Sequence, residues 1–220
     1  MRVPSNSLGF KRLLLRWFRH AGRDLPWRAT RDPYRVLVSE FMLQQTQVSR
    51  VAEYYPRFLQ RYPTVHDLAN ARPQSVREAW DGLGYYRRAE NLHRLAQVVV
   101  KQHDGRVPDR PDVLRTLPGV GPYTAAAVAT FAYQKRAAPV DTNIARVLRR
   151  VFRPRLADGV RGERTLAALA LAVLPHRPRA AWEFNQALMD LGATVCKARR
   201  PDCPRCPVRG ACQTGRGARG

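Results

Sequence analysis

The pattern of apolar and polar positions along the chain predicts helices almost from end to end. Apolar residues recur at helical spacing, few stretches alternate apolar with polar residues, and Gly and Pro separate the segments. The predicted helices cover residues 7–21, 33–45, 47–61, 64–70, 74–81, 86–103, 110–116, 122–133, 142–152, 161–174 and 179–193. The sequence therefore predicts an all-α fold.

The two ends of the chain need separate interpretation. Residues 10–18 are cationic and amphipathic, but they lack the longer apolar stretch and small-residue cleavage site of a secretory signal, so we interpret them as part of a first helix. The Gly and Arg content of residues 213–220 predicts a flexible tail. Because no stretch reaches the roughly 18 apolar residues of a membrane span, we expect no membrane partner.

The net charge of the chain indicates the class of partner, whereas its length indicates only the number of domains. The 220 residues are 45% hydrophobic, which suits a globular protein of one or two domains. The chain carries 39 Lys+Arg against 17 Asp+Glu, a formal net charge of +22, and only four of the cations are lysines. Arginine suits bidentate contacts to phosphate, and the sign of the charge predicts a polyanionic partner.

All four cysteines lie near the C-terminus, at Cys196, Cys203, Cys206 and Cys212. This spacing is compact enough for four thiolates to surround one metal centre, and either a zinc ion or a [4Fe-4S] cluster would accept them. A disulfide-stapled secreted protein would distribute its cysteines along the chain, so we expect a reducing, intracellular location.

A turn with two glycines opens an alanine-rich helix at residues 117–128, LPGVGPYTAAAV. Gly119 and Gly121 would let the backbone take positive φ and approach a ligand closely, and Val120 lies between them. Amide N–H groups and the start of the following helix could then bind a phosphate. An ordinary turn between helices is the alternative, but helix, LPGVG and helix in this order favour a helix-hairpin-helix that binds a nucleic-acid backbone.

Two carboxylates are candidates for chemistry, each with a structural alternative. Glu40 lies among large apolar residues, where burial favours the protonated form of a carboxyl group and allows it to donate a proton near neutral pH. The alternative is a solvated carboxylate in a first helical turn. Asp141 precedes an apolar helical pattern, so its spacing alone indicates a helix N-cap.

Together these elements resemble the helix-hairpin-helix DNA glycosylases of the endonuclease III superfamily, most closely the MutY adenine glycosylases, over about residues 22–213. The motifs that carry the resemblance are LPWR at 25–28, SEFMLQQTQ at 39–47, GLGYY at 82–86, LPGVGPYTAAAV at 117–128, VDTN at 140–143 and FNQALMDLGA at 184–193. The resemblance implies a [4Fe-4S] cluster in the four-cysteine loop. It also implies a two-lobed fold: a central helical lobe at 30–136, a second lobe from 1–29 plus 137–195, the cluster loop at 196–212 and the tail.

The resemblance also gives the two carboxylates catalytic roles. Glu40 matches the general acid that protonates the adenine ring, and Asp141 matches the aspartate that stabilises the sugar cation. Tyr123 and Asn143 match active-site positions beside that aspartate, and Arg28 matches one near the extruded base. The residues expected to enter the base stack are Gln45, Leu83 and Tyr85. Since bifunctional lyases of the superfamily carry a lysine at the position of Tyr123, we expect a monofunctional enzyme.

The expected substrate is double-stranded DNA with a mismatched or damaged base, from which the protein removes adenine paired with 8-oxoguanine or guanine. We expect the protein to act as a monomer in a prokaryotic cytoplasm and nucleoid. The chain ends shortly after Cys212, so it resembles a short form without the C-terminal domain that recognises 8-oxoguanine. Residues 31–34 and Thr142 instead resemble short glycosylases that act on T:G or U:G mismatches. A third hypothesis is a DNA-binding homologue without catalytic activity.

Overall fold

A computed structural model describes residues 3–217, which fold into helices and connecting turns without any strand, and so confirms the all-α prediction. All eleven predicted helices are present within this range, followed by one more. The helices are α1 (Ser7–Ala21), α2 (Pro33–Leu43), α3 (Val48–Arg61), α4 (Val65–Ala69), α5 (Pro73–Ala79), α6 (Arg87–Gln102), α7 (Pro111–Leu114), α8 (Pro122–Phe131), α9 (Thr142–Phe152), α10 (Val160–Val173), α11 (Pro178–Asp190) and α12 (Gln213–Gly217).

The chain forms two compact units. The internal unit is Asp24–Tyr133, and the terminal unit combines the residues up to Arg23 with those from Gln134 onward. The candidate residues Glu40 and Tyr123 belong to the internal unit, whereas Asp141 and Asn143 belong to the terminal unit.

Helix α2 is the centre of the internal unit. Its residues 36–42 are all buried, and the helix packs against α3, α6 and α8. A helix that is apolar on all sides is stable only when it is surrounded, which explains why the amphipathic helices α3 and α6 lie around it. Asp32 begins the helix, because its side chain accepts a hydrogen bond from Arg35 N (2.9 Å) and Pro33 follows at the first helical position.

The terminal unit has its own apolar core, and the first helix packs into it. The ring of Phe10 on α1 makes edge-to-face contacts with Phe152 (5.1 Å between centroids) and Phe184 (6.0 Å). Beyond the end of α1, Arg23 pairs with the buried carboxylate of Asp190 at 2.7 Å. These contacts confirm that the cationic N-terminal segment is a core helix.

Two segments near the C-terminus differ from the predicted pattern. The helix predicted to run to residue 193 ends as α11 at Asp190 and continues as a turn of π-helix over Leu191–Val195. The tail predicted to be flexible begins with the short helix α12, in which Thr214 Oγ1 donates to Arg150 O (2.8 Å), while residues 218–220 lie outside the described range.

No helix within residues 3–217 is long and apolar enough to cross a membrane.

Candidate active site

Glu40 lies in the second half of α2, seven residues after the helix begins at Pro33, and is only 5% exposed. The alternative of a solvated carboxylate in a first turn is therefore wrong. Tyr123 lies in the first turn of α8, and α8 packs against α2, so two helices in contact carry these two residues. Arg28 is half-buried at the end of a 3-10 turn, Pro26–Arg28, that packs against α2 and α3.

Asp141 is the N-cap of α9, as its spacing predicted, and its second carboxylate oxygen has a separate partner. Oδ1 accepts a hydrogen bond from Ile144 N (2.7 Å), and Oδ2 accepts one from the side-chain amide of Asn143 (3.1 Å). Two donors and the positive end of the helix dipole therefore face this carboxylate and fix its orientation.

Asn143 is in turn held by Arg146, one turn further along α9. Arg146 Nη2 donates to Asn143 Oδ1 (2.7 Å) and to the carbonyl of Gly192 (2.7 Å), and its Nε donates to the carbonyl of Cys196 (2.8 Å). A Cβ at Gly192 would lie 2.7 Å from Asn143 Cβ, so the π-helical turn approaches α9 too closely for any side chain there. A continuous set of hydrogen bonds thus joins the first cysteine of the cluster loop to Asp141.

The two glycines in the turn between α7 and α8 differ in backbone conformation and in the space around them. Gly119 has a φ of +75°, and a Cβ there would lie 2.8 Å from Asn91 Cβ and 3.0 Å from Phe41 Cε1. Gly121 has an ordinary φ of −87°, and a Cβ there would meet no atom within 4 Å, so the expectation of positive φ is confirmed for Gly119 and wrong for Gly121. Gly121 begins α8 without a capping side chain, and Val120 between them is buried.

The structure brings two of the three predicted stacking residues to one pocket of the internal unit. Gln45 and Tyr85, both exposed, line a cavity of about 320 Å³, and both have a φ in the left-handed region, +56° and +47°. This conformation costs a residue with a Cβ roughly 1–2 kcal/mol. Tyr85 is 61% exposed, whereas Leu83 is 5% exposed, so insertion of Leu83 into DNA would require it to leave its buried position.

All four cysteines line one cavity of about 190 Å³ in the terminal unit, with apolar walls that include Val147 and Val151. Within residues 3–217, no three His, Cys, Asp or Glu side chains are arranged to hold a single metal ion, and none of the four cysteines forms a disulfide. Burial raises the pKa of the Cys206 thiol to about 11 and also raises that of Cys212. Arg150 Nη1 donates to Cys196 Sγ (3.4 Å), and Gly215 N donates to Cys212 Sγ (3.2 Å).

Two arginines that hold these segments together, Arg146 and Arg88, were not predicted from the sequence. Arg88 is the first member of a helical stripe that continues with Leu92, Leu95 and Val99, all buried. An arginine at helical spacing with apolar residues lies on the buried face of the helix, so the sequence pattern could have predicted the burial of Arg88.

The chain matches one known protein family over more than half of its length. Residues 38–166 match the HhH-GPD superfamily of base excision DNA repair proteins. The chain is 49% identical to the adenine DNA glycosylase of Mycobacterium tuberculosis over 196 residues, which are 89% of this chain and 64% of that protein, so it spans less than two thirds of this relative's length. Human adenine DNA glycosylase is 43% identical over 224 residues, covering 96% of this chain and 40% of the human protein.

Solved structures extend the likeness over nearly the whole chain. A thermostable thymine-DNA glycosylase has a TM-score of 0.89 and 33% identity, covering 97% of this chain and 98% of that one. A trapped covalent intermediate of endonuclease III with DNA has a TM-score of 0.82 and 26% identity, with 98% of each chain covered.

Proposed function

Since this chain belongs to the HhH-GPD superfamily of base excision DNA repair proteins, we propose that it is a monofunctional DNA glycosylase that removes mispaired adenine from double-stranded DNA. The relatives named adenine DNA glycosylase support this substrate, and the net charge of +22 supports the polyanionic partner. The proposed enzyme acts as a monomer on chromosomal DNA, on adenine opposite 8-oxoguanine or guanine.

The observation that carries the proposal is the fixed carboxylate of Asp141. Cleavage of an N-glycosidic bond places positive charge on the deoxyribose, and an oriented anion stabilises that charge without reorganising during the reaction. Ile144 N and the Asn143 amide supply the orientation. Asp141 is the proposed stabiliser of the sugar cation, and Asn143 holds it in place.

Glu40 is the proposed general acid. A leaving base departs more easily when it gains a proton, and a positioned acid contributes roughly 10²–10⁴ in rate. Glu40 is buried in α2, whereas the carboxylate of Asp141 accepts hydrogen bonds from Ile144 N and the Asn143 amide. Carboxyl groups in such opposite environments are suited to opposite roles.

The target base must leave the duplex to reach these groups, because the reacting atoms are inaccessible within the stack. Gln45 and Tyr85 at one exposed pocket are suited to fill the gap, with the turn at Gly119 and Gly121 binding the phosphate backbone. Arg28 is proposed to contact the extruded base. Tyr123 provides no amine for a Schiff base, so cleavage of the strand is left to another enzyme.

We further propose that Cys196, Cys203, Cys206 and Cys212 hold a [4Fe-4S] cluster. All four residues border one cavity of about 190 Å³ in the terminal unit. The donor set of four thiolates is the one that the cluster requires. When bound, the cluster would link the segments of this loop, and its iron would offset the cost of deprotonating buried thiols.

Thymine or uracil excision from G mismatches is the second candidate function. It is favoured by the thermostable thymine-DNA glycosylase, which this chain matches over nearly the full length of both proteins. The adenine hypothesis rests on higher identity, 49% against 33%, but on relatives that are longer than this chain.

Single-turnover base release distinguishes these functions. The purified protein would be incubated with duplexes that contain A opposite 8-oxoguanine, A opposite G, T opposite G and U opposite G, with and without alkali to cleave abasic sites. We expect release of adenine and strand cleavage only after alkali. Preferential release of thymine or uracil would establish the second function, and no release from any duplex would favour the non-catalytic, DNA-binding alternative.

A further inference from the structure

The two exposed turns that carry Gln45 and Tyr85 share one buried side chain, that of Arg88. Arg88 lies in the first turn of α6 and is only 7% exposed. Its Nη1 donates to the carbonyls of Met42 (2.8 Å), Phe41 (3.1 Å) and Gln44. Its Nη2 donates to the carbonyls of Gly84 (3.0 Å) and Leu83 (3.2 Å). One guanidinium therefore bridges the backbone of residues 41–44 and the backbone of residues 83–84.

Two of the carbonyls that accept bonds from Arg88 lie directly before the residues with positive φ. Gln44 O belongs to the peptide group that precedes Gln45, and Gly84 O belongs to the one that precedes Tyr85. Gln45 and Tyr85 are the two residues with positive φ in these turns, +56° and +47°. Non-glycine residues keep such a conformation only where their surroundings impose it, and the bonds to Arg88 fix the peptide planes on which both φ angles depend.

Arg88 also closes the end of the helix that carries Glu40. The last carbonyls of a helix have no partner within it, and the last turn of α2 contains no basic residue. Arg88 supplies donors and positive charge to this end from another helix. A lysine has a single ammonium group and could not reach carbonyls on both sides, so the planar fork of arginine is required.

We propose that Arg88 is a positioning residue that joins the two turns into one preformed wedge, so that Gln45 and Tyr85 enter the DNA base stack together. The rings of Trp80 and Tyr85, 5.5 and 5.4 Å from the guanidinium carbon, complete its surroundings. This inference rests on the proposed function, because it assigns the wedge a task in extruding the target base. Arg88 itself touches neither the base nor the sugar in this scheme.

The test compares Arg88→Lys with Arg94→Lys, an exposed arginine on the same helix, on two substrates. One is a duplex with adenine opposite guanine, and the other presents the same adenine unpaired in a loop. Misplacing groups that position a substrate costs on the order of 10²-fold in rate. We expect R88K to slow release from the paired duplex by about 10- to 100-fold and to lower the ratio of paired to unpaired rates about tenfold. We expect R94K to match the wild type.

A double-mutant cycle separates positioning from general damage. In a protein that already carries Gln45→Ala and Tyr85→Ala, R88K should have little further effect on release from the paired duplex, because the wedge through which it acts is gone. Equal losses on both substrates, or a full additional loss in the double-alanine protein, would overturn the proposal.

A measurement on the unaltered protein keeps the proposal testable if R88K does not fold. NMR order parameters of the Gln45 and Tyr85 backbone amides should be close to 0.85, the value of a rigid backbone, and values below about 0.6 would refute a preformed wedge. If the wild type releases no base from either substrate, the proposed function fails, and the order parameters still decide whether both turns are rigid.

Discussion

Replacing the two hairpin glycines one at a time should separate folding from DNA binding. In Gly119→Ala the new methyl group would lie 2.8 Å from Asn91 Cβ and 3.0 Å from Phe41 Cε1, at a φ of +75°. The left-handed conformation costs a residue with a Cβ roughly 1–2 kcal/mol, and overpacking of a close contact costs roughly 1–3 kcal/mol. We expect G119A to lower the free energy of unfolding by about 2–5 kcal/mol.

Gly121→Ala is the matched control, two residues away in the same turn. Its φ of −87° suits any residue, and no atom lies within 4 Å of the added carbon. We expect its free energy of unfolding to stay within about 0.5 kcal/mol of the wild type. The methyl group would, however, cover the open start of α8 where a phosphate is proposed to bind, so the affinity for duplex DNA should fall.

Urea unfolding and fluorescence anisotropy of a labelled duplex measure the two effects independently. The reasoning predicts a lower urea midpoint for G119A and weaker duplex binding at an unchanged midpoint for G121A. A wild-type midpoint for G119A would refute the steric argument. Wild-type affinity in G121A would refute the proposed phosphate contact.

Three further changes test the site. Asp141→Asn keeps an N-cap acceptor but loses the negative charge, so base release should stop while duplex affinity, measured by anisotropy, persists; normal turnover would contradict the assigned role. Cys203→Ser should lose the proposed cluster, and an unchanged iron content and visible absorbance would contradict the ligand assignment. Arg146→Met removes charge-assisted bonds worth about 1.5–3 kcal/mol each, and the freed Asn143 should slow single-turnover release about 10- to 100-fold. An unchanged rate would show that Asn143 is held without Arg146.

The helices were predictable because their signals are local. Asp32 and Pro33 mark the start of α2, and Thr64 with Asp67 forms a reciprocal capping box at α4, in which Asp67 N donates to Thr64 Oγ1 at 3.2 Å. The same signal decides the position of Glu40: a helix that begins at Pro33 places residue 40 beyond its first turn. The first-turn alternative for Glu40 was thus inconsistent with the predicted start of its own helix.

The conformations at the site were not predictable from local pattern, because they depend on contacts between distant segments. Nothing in the sequence near Gln45 or Tyr85 marks a positive φ, since the carbonyls that precede them are held by Arg88 on another helix. The π-helical turn after α11 likewise depends on the approach of Gly192 to Asn143, 49 residues earlier. The sequence motifs predicted candidate site residues, whereas contacts between distant segments determine the conformations of those residues.

The arginines of this chain have two distinct uses, and net charge alone cannot separate them. Arg88, Arg146 and Arg150 donate to backbone carbonyls within their own units, and those of Arg150 include the carbonyls of Lys197 (2.7 Å) and Ala198 (2.9 Å). These guanidinium groups hold turns in place, whereas arginines with exposed side chains can contribute charge toward a polyanion. Lysine keeps the charge but not the fork, so arginine-to-lysine changes should preserve the salt dependence of DNA binding at exposed positions and impair base release at the internal ones. Some of the 35 arginines, which far outnumber the four lysines, therefore hold backbone segments of the site in place, and others supply charge for phosphate binding.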